Sequence, residues 1–451
     1  MGSTLSLLDS VSVRHLEHIH DHAAELLQRT GMRMDHPDAR NLLRDNGCTL
    51  AEGNVVRFPR KVIDRALASL PGSYRMGTRD GSVAMEPDAL HFRCQSGCIN
   101  VMDHRTEECR SGTLEDVVAV TRVMEKAENL TVTCSLLYPW DVPLDRRDIA
   151  TVEVMLEHSG KHIYVQPYTG SSARAIIDLT EKSGGSKQRP RATFITAPTT
   201  PLICAENELE IMMAAARSGI PLMAASTPLC GATSPVTLAG QIILHHAENL
   251  AVFTYIQLLE PGAPVTYGIR PGILDMRTAN STWGNVEWGM SSYVLAHLAR
   301  HLGFMTDVVG FTTDSKVSDF QCGSEKTLNA ALLAQAPCNM VAGVGFIETI
   351  LTASPAQILL DNEVAGIFRR IRQGIDWDDA HMALDLIDRV GPGGNYLTEE
   401  HTVRYFREEL YEPLLFDRNM RDAWKSASGK DAEQRAREMV SSLLGKAESR
   451  A

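Results

Sequence analysis

The stretch FMTDVVGFTTDSKVSDFQCGSEKTLNAALLAQAPCNMVAGV, residues 304–344, decides the fold. It opens on an apolar run at 304–309, crosses a polar loop, continues as a helical pattern over 320–336 and closes on a second apolar run at 340–344. Neither run alternates apolar with polar residues. That is the pattern of strands covered by helices on both faces of a parallel sheet. The helix between them is long enough for a right-handed crossover. Outward from this unit the same rhythm recurs. Further apolar runs lie at 98–101, 130–137, 162–165, 192–195, 221–225 and 264–267, which makes eight in all. Helical patterns fall between them at 113–128, 146–158, 172–183, 205–218, 236–259 and 284–302, and one more follows the last run at 355–373. Eight such βα units are the count of a TIM (β/α)8 barrel. The rival is an open doubly wound sheet. No G-x-G-x-x-G follows the first strand and no P-loop pattern occurs, which argues against nucleotide-binding folds of that kind.

The segments outside this rhythm are of a different type. The first ninety residues predict helices over 12–30, 37–46 and 60–70, then short strands at 74–76, 82–85 and 91–94 separated by turn residues. The expected organisation is an N-terminal helical and hairpin extension (1–95), a TIM-barrel catalytic domain (96–375) and a C-terminal helical extension (376–451) packed back on the barrel.

Composition narrows the function. The chain has 451 residues, of which 44% are hydrophobic and 22% charged, so a disordered or fibrous chain is excluded. Forty-four Lys and Arg against 56 Asp and Glu give a net charge of −12. An acidic surface repels phosphate and argues against nucleic acid. The start, MGSTLSLLDSVSVRHLEHIHDH, lacks the basic segment, apolar core and cleavage site of a secretory signal. The apolar stretch 327–347 is broken by Asn329, Gln335, Pro337 and Asn339. A cytoplasmic protein without membrane contact is expected. Nine cysteines, odd in number and scattered, fit reduced thiols. Cys94, Cys98 and Cys109 raise a zinc site, but no matching second pair exists, and ordinary thiols are the expectation.

In a TIM barrel the site forms at the carboxyl ends of the strands. Those ends carry Tyr138 and Trp140, Gln166 and Tyr168, Thr196 and Thr199, Ser226 and Thr227, Arg270, Asp314 and Lys316, and finally Phe346 and Glu348. This rim is rich in rings and hydroxyls and poor in His and Cys. It suits a small polar or cationic ligand rather than a catalytic zinc. The densest polar cluster is 314–325, with Asp319 placed to cap a helix and Gln321 and Glu325 on one face of its first turn. Lys316 opens a second reading, a Schiff-base lyase or aldolase. His15, His18 and His22 share a helical face near the N-terminus with metal-ligand spacing, yet a solvated face is the simpler account. His245 and His246 sit in an apolar helix and are expected to be satisfied core residues.

Four stretches resemble the trimethylamine methyltransferase family. They are Gly231-Ala-Thr-Ser-Pro235-Val-Thr-Leu-Ala-Gly240, Asp314-Ser-Lys316-x-x-Asp319-x-Gln321, Gly343-Val-Gly345 with Glu348, and Gly391-Pro-Gly-Gly394-Asn-Tyr-Leu397-x-x-x-His401-Thr402. The pattern around Ile19-His20, Leu26-Leu27 and Thr30-Gly31 fits as well, so the resemblance runs from about residue 10 to about residue 425. It implies a TIM barrel that moves a methyl group from an amine to the Co(I) of a separate corrinoid protein. Well-known members carry pyrrolysine in the last barrel strand, at or beside Met340, where this chain has only ordinary residues. Relatives of that kind resemble methyltransferases for quaternary amines such as glycine betaine.

Strand-end position and the chemistry of a cationic substrate give roles to particular residues. Tyr138, Tyr168, Trp283 and Phe346 are candidates for an aromatic cage around the cation. Glu348 or Asp314 would add a countercharge, and Arg270 or Gln321 would take a substrate carboxylate. Asp319, Gly343 and Gly345 are placed on the corrinoid side. The corrinoid (cobalamin) would arrive on its cognate protein partner over the barrel mouth, no tightly bound metal is expected, and the chain is expected to form a homo-oligomer. A barrel that binds betaine without turnover is the non-enzymatic alternative.

Overall fold

The computed structural model describes Leu7 and residues 11–448, so the first part of the segment read for a secretory signal lies outside the described residues. Eight parallel strands close into a barrel: β1 (His91–Cys94), β2 (Leu130–Cys134), β3 (His162–Val165), β4 (Ala192–Thr196), β5 (Leu222–Ala224), β6 (Val265–Ile269), β7 (Met305–Val309) and β8 (Met340–Val344). Each strand pairs with the next in sequence, and β8 closes on β1 through Met340↔His91 and Val341↔Phe92. The strands are buried on both faces, which is why their runs do not alternate. The outer helices are α1 (Leu114–Lys126), α2 (Arg147–His158), α3 (Gly170–Lys182), α4 (Glu206–Ser218), α5 (Leu238–Leu259), α6 (Val286–His301), α7 (Phe320–Ala334) and α8 (Pro355–Gln373). Side chains fix several starts: Thr113 and Asp116 form a capping box on α1, Thr169 accepts from the N–H of Ser172 on α3, and Ser354 accepts from that of Gln357 on α8.

One strand assignment needs correction. The first barrel strand is His91–Cys94, not 98–101. Asn100–Met102 belongs to a small outer sheet, where it pairs with Cys109–Ser111 and Thr352–Ala353. Arg93 disguises β1 as a surface segment. Its guanidinium points into the barrel and is neutralised there by Asp307 of β7. The N-terminal part also holds short strands at Met32–Met34, Thr49–Leu50 and Val55–Arg57, where the sequence predicts only helices and turns.

The N-terminal helices explain why α5 is apolar all round. Helices Val13–Arg29 and Arg60–Leu67 both pack on it, and His20 reaches in to His246. His15, His18 and His22 stay on the outer face of the first helix. The hairpin Tyr74–Gly77 and Ser82–Met85 covers the amino end of the barrel. Tyr74 reaches the Thr266 hydroxyl at 2.5 Å, the N–H of Gly77 donates to Pro190 O at 2.7 Å, and the His162 ring meets Gly77 O at 3.1 Å. No helix among the described residues is long and apolar enough to cross a membrane. All nine cysteines are free thiols, and burial pushes those of Cys94 and Cys98 up.

Burial holds His162 and His245 neutral, with pKa values pushed down to about 3. Both groups have folded pKa values below that of an unfolded histidine. The stability they contribute is therefore fully present above about pH 6.5 and is lost as the pH falls toward 3. Each is expected to cost about 1.4 kcal/mol per pH unit in that window. Urea denaturation between pH 7 and pH 5 measures this, and the slope should be shallower in His162→Gln.

Candidate functional site

A charged triad fills the barrel interior. Arg93 of β1 grips Asp307 of β7 through two bonds of 2.8 Å, and Arg270, just beyond β6, donates to the same carboxylate at 3.1 Å. All three are buried; Arg270 keeps 5% of its surface, at the mouth end of its strand. Burial pushes the Asp307 carboxyl up, but the two guanidiniums outweigh it and hold the group below the ordinary carboxylate range. Two cations against one anion leave a net positive charge under the mouth. The backbone N–H of Arg270 donates to His245 Nε2 at 3.3 Å, and from there a chain runs through Tyr267 and His246 to His20, buried on the inner face of the N-terminal helix. That N–H makes Nε2 of His245 an acceptor, so its proton sits on Nδ1, facing the Tyr267 hydroxyl.

Above the triad lies an open cavity of about 920 Å3, built from the loops after β6, β7 and β8. Trp283, Asp314, Gln321 and Glu348 all line it, together with Thr227 and Lys316. Asp314 ties three loops together. Its carboxylate accepts from the N–H groups of Trp283 and Gly284 at 2.8 and 2.9 Å and from the Thr349 hydroxyl at 2.8 Å. Gln321 donates to Glu325, which in turn accepts from the Thr313 hydroxyl and the N–H of Asp314. These bonds fix the wall. Glu348 begins a turn in which three successive non-glycine residues, Glu348, Thr349 and Ile350, have φ of 56°, 51° and 70°. Left-handed backbone of this sort costs on the order of 1–2 kcal/mol per residue. It is held by N–H bonds from Glu348 to Ser315 O and from Thr349 to Thr313 O. One Glu348 oxygen accepts from the Thr352 hydroxyl at 2.7 Å.

Trp283 stacks on Trp288 with centroids 4.5 Å apart and meets the edge of Phe346 at 6.0 Å. The other sequence candidates lie off this cavity. Phe346 is wholly buried, and the Lys326 ammonium sits over its ring at 4.7 Å. Tyr138 and Tyr168 form a separate pair, 5.1 Å apart, at the ends of β2 and β3. The Tyr138 hydroxyl bonds Ser135 and Gln166 O, and burial pushes the Tyr168 hydroxyl up to about 12. Arg270 lies inward of this wall, at the end of β6 with its guanidinium in the triad.

Lys316 is exposed and donates to the carbonyl two residues before it, Asp314 O, at 2.8 Å. The desolvation that activates a Schiff-base lysine is missing there. Among the described residues the fully buried lysine is Lys326, which sequence reasoning missed. It pairs with Asp361 at 2.8 Å behind β8, and Asp361 also accepts the N–H of Gly345. Gly343 has φ of +105°, and a Cβ there would lie 2.8 Å from Phe311 O, so only glycine fits where β8 passes the exit of β7.

Asp319 caps α7, accepting from the N–H of Cys322 at 2.9 Å and the Ser315 hydroxyl at 2.8 Å. The bond to Cys322, with the others, holds its carboxyl below the ordinary range. Asp319→Ala is expected to cost about 1 kcal/mol of stability, read as a shift in the urea midpoint. Gln95 escaped the sequence reading, and Thr196 entered it only as one of the strand-end hydroxyls. Gln95 Oε1, just past β1, and the Thr196 hydroxyl, at the end of β4, are buried at the strand ends without a protein hydrogen-bond partner.

Comparison with known proteins places this architecture. The family described as trimethylamine methyltransferase matches residues 2–451. The chain belongs to the trimethylamine methyltransferase family. The trimethylamine methyltransferase of Desulfitobacterium hafniense is 30% identical over 444 residues, covering 97% of this chain and 89% of its own. A glycine betaine methyltransferase of the same species is 27% identical over 432 residues, covering 94% and 90%. The crystal structure of the Methanosarcina barkeri monomethylamine methyltransferase superposes with a TM-score of 0.58 at 10% identity, covering 96% of this chain and 88% of that one, and so shares the barrel fold. Within the trimethylamine methyltransferase family, then, this chain is a TIM-barrel methyltransferase.

Proposed function

We propose that the chain transfers a methyl group from a small quaternary amine of the glycine betaine type to the Co(I) of a corrinoid carried by a partner protein. The observation that carries this reading is the mouth cavity, where a ring (Trp283) and a carboxylate (Glu348) stand at one wall above a positively charged barrel interior. A ligand with a cationic head and an anionic tail matches that division of charge. The full-length likeness to a relative named glycine betaine methyltransferase and the ordinary residues 339–342 support the choice of a quaternary over a tertiary amine.

The chemistry asks little of acid or base groups. A quaternary ammonium departs as a neutral tertiary amine once its N–CH3 bond breaks, so no proton need be supplied. Co(I), when present, is the nucleophile. The chain's task is to hold the cation, exclude water and align one methyl group with the open mouth. A ring face binds such a cation at about 0.5–2 kcal/mol. Tighter binding would favour the ground state, because positive charge disperses as the methyl group departs. The Asp314 clamp keeps Trp283 and Glu348 in place across three loops. Arg270 is the proposed anchor for the substrate carboxylate, with Gln95 and Thr196 as hydrogen-bonding partners deeper in the mouth.

The rim fits a docking protein. Trp140, Val236, Met276 (71% exposed), Phe320 (91% exposed) and Leu351 stand out from the loops and helix starts around the opening. Large exposed apolar groups around a site are the mark of an interaction surface. The reading is tested by calorimetric titration with glycine betaine and with 3,3-dimethylbutanoate, its uncharged-head isostere. Betaine is expected to bind about tenfold tighter or more. Equal affinity, or no betaine binding, would overturn the assignment.

A further inference from the structure

Past the end of α8, residues 375–410 form an arm of short helices (Asp379–Met382, Leu384–Val390 and Glu400–Glu409). The arm doubles back, so Asp376 and His381 near its start meet Glu409 near its end. One ring nitrogen of His381 and one oxygen of each carboxylate all lie within 4.8 Å of one another. They line a cavity of about 950 Å3 beside α8. A helix that follows a parallel barrel strand runs back toward the amino end, so the arm leaves from the base of the barrel, opposite the mouth.

Groups outside this trio hold the imidazole in one orientation. Its Nδ1–H donates to Asp378 at 2.8 Å, and its ring lies against that of Tyr405, with centroids 4.7 Å apart. Tyr405 alone is buried among residues 375–410, so this contact is the arm's firmest support. With Nδ1 engaged, the lone pair sits on Nε2, which stands 3.9 Å from Glu409 Oε1. That gap is too long for a hydrogen bond. It is close to the separation of about 3.4 Å between two ligands of a tetrahedral ion with bonds of about 2.1 Å. A carboxylate behind one ring nitrogen, with the other facing acidic oxygens, is the outer-shell arrangement of metal-bound histidines. The charges agree. The carboxylates of Asp376, Asp378 and Glu409 against the guanidinium of Arg370, which pairs with Glu409 at 2.9 Å, leave 1 − 3 = −2 around a neutral imidazole.

We propose that Asp376, His381 and Glu409 form a divalent metal site of the zinc class that fastens the two ends of the arm together. One imidazole with two carboxylates suits Zn2+, whereas Mg2+ and Ca2+ favour oxygen ligands throughout. Three protein ligands leave a fourth position, open to the cavity and filled by water. The ion is exchangeable rather than tightly bound, because Asp376 is exposed. It stands apart from the mouth and takes no part in methyl transfer. Zn2+ takes the place of a proton on Nε2. The nearby carboxylates, Asp378 foremost, hold the His381 pKa above its ordinary value. Metal binding therefore releases a proton and weakens as the pH falls below about 7.

Calorimetric titration of zinc chloride into the full chain, stripped of metal with EDTA, tests this apart from any methyl transfer, since no amine or corrinoid protein is present. One Zn2+ per chain should bind at pH 7.5 with a Kd of about 1–10 μM. His381→Ala and Asp376→Asn should each weaken it about tenfold or more, and Asp378→Asn about 10–100-fold by freeing the ring. Asp376 is exposed, so its variant keeps the test valid if His381→Ala disturbs the packing on Tyr405. His18→Ala combined with His22→Ala, which removes imidazoles of the N-terminal helix, should leave the affinity unchanged. At pH 5.5 the unmutated chain should bind about tenfold more weakly or worse. Hydrogen exchange of residues 375–410 in the unmutated chain should slow when zinc is added. No binding up to about 100 μM zinc would overturn the proposal. So would an affinity untouched by both His381→Ala and Asp376→Asn, or one lost in the N-terminal double variant.

Discussion

Asp307→Asn is expected to destabilise the protein by about 3–5 kcal/mol, because it strips the countercharge from two buried guanidiniums at once. Arg93 is wholly enclosed between β1, β7 and the Tyr164 ring, 4.8 Å away, and cannot turn to water. Its remaining bonds go to Cys94 O at 2.9 Å and the Cys134 sulfur at 3.4 Å, neither of which carries charge to balance it. Burial works against the charge of Arg93, and Asp307 is the group that outweighs it. The measurement is the urea midpoint at pH 7, with the denaturant slope checked for two-state behaviour. A loss below 1 kcal/mol would mean that the triad does not organise the barrel interior.

Arg270→Met carries the second large effect, and it falls on function. Asp307 keeps both bonds to Arg93 in this variant, so the fold loses far less than in Asp307→Asn. A charge-assisted hydrogen bond is worth about 1.5–3 kcal/mol. Under the proposed function, kcat/KM for a quaternary amine with a carboxylate should fall about 10–150-fold. A choline-like amine, which has no carboxylate, should be turned over at a nearly unchanged rate. An equal fall for both would show that Arg270 supports the mouth without touching the tail of the substrate.

Much of the barrel was legible in the sequence because strands buried on both faces read as unbroken apolar runs, and seven of the eight did so. The eighth, His91–Cys94, failed that test through Arg93, whose partner lies more than two hundred residues away. A charge inside an otherwise apolar run at one strand, matched by Asp307 in another, was the available signal. The site was legible in part. Trp283, Asp314, Gln321 and Glu348 converge on one cavity because consecutive βα loops lie side by side at the mouth. Phe346 does not, since this ring, two residues past β8, turns inward against Lys326. Nor do Tyr138 and Tyr168, which sit across the barrel. Strand-end position fixes which rim a residue occupies, but the loop's turn decides which way its side chain faces. Asp314 shows the same limit: its carboxylate looked free for a substrate and is taken up by backbone N–H groups.

The central claim is that the mouth holds a quaternary ammonium while one of its methyl groups departs to cobalt. It is tested most directly by a single-turnover reaction of the unmutated protein with methyl-labelled glycine betaine and a corrinoid protein reduced to Co(I). Loss of the Co(I) absorbance should match, mole for mole, the appearance of N,N-dimethylglycine, and trimethylamine should give no reaction under the same conditions. Betaine that binds yet yields no dimethylglycine, or transfer from trimethylamine at the same rate, would contradict the account.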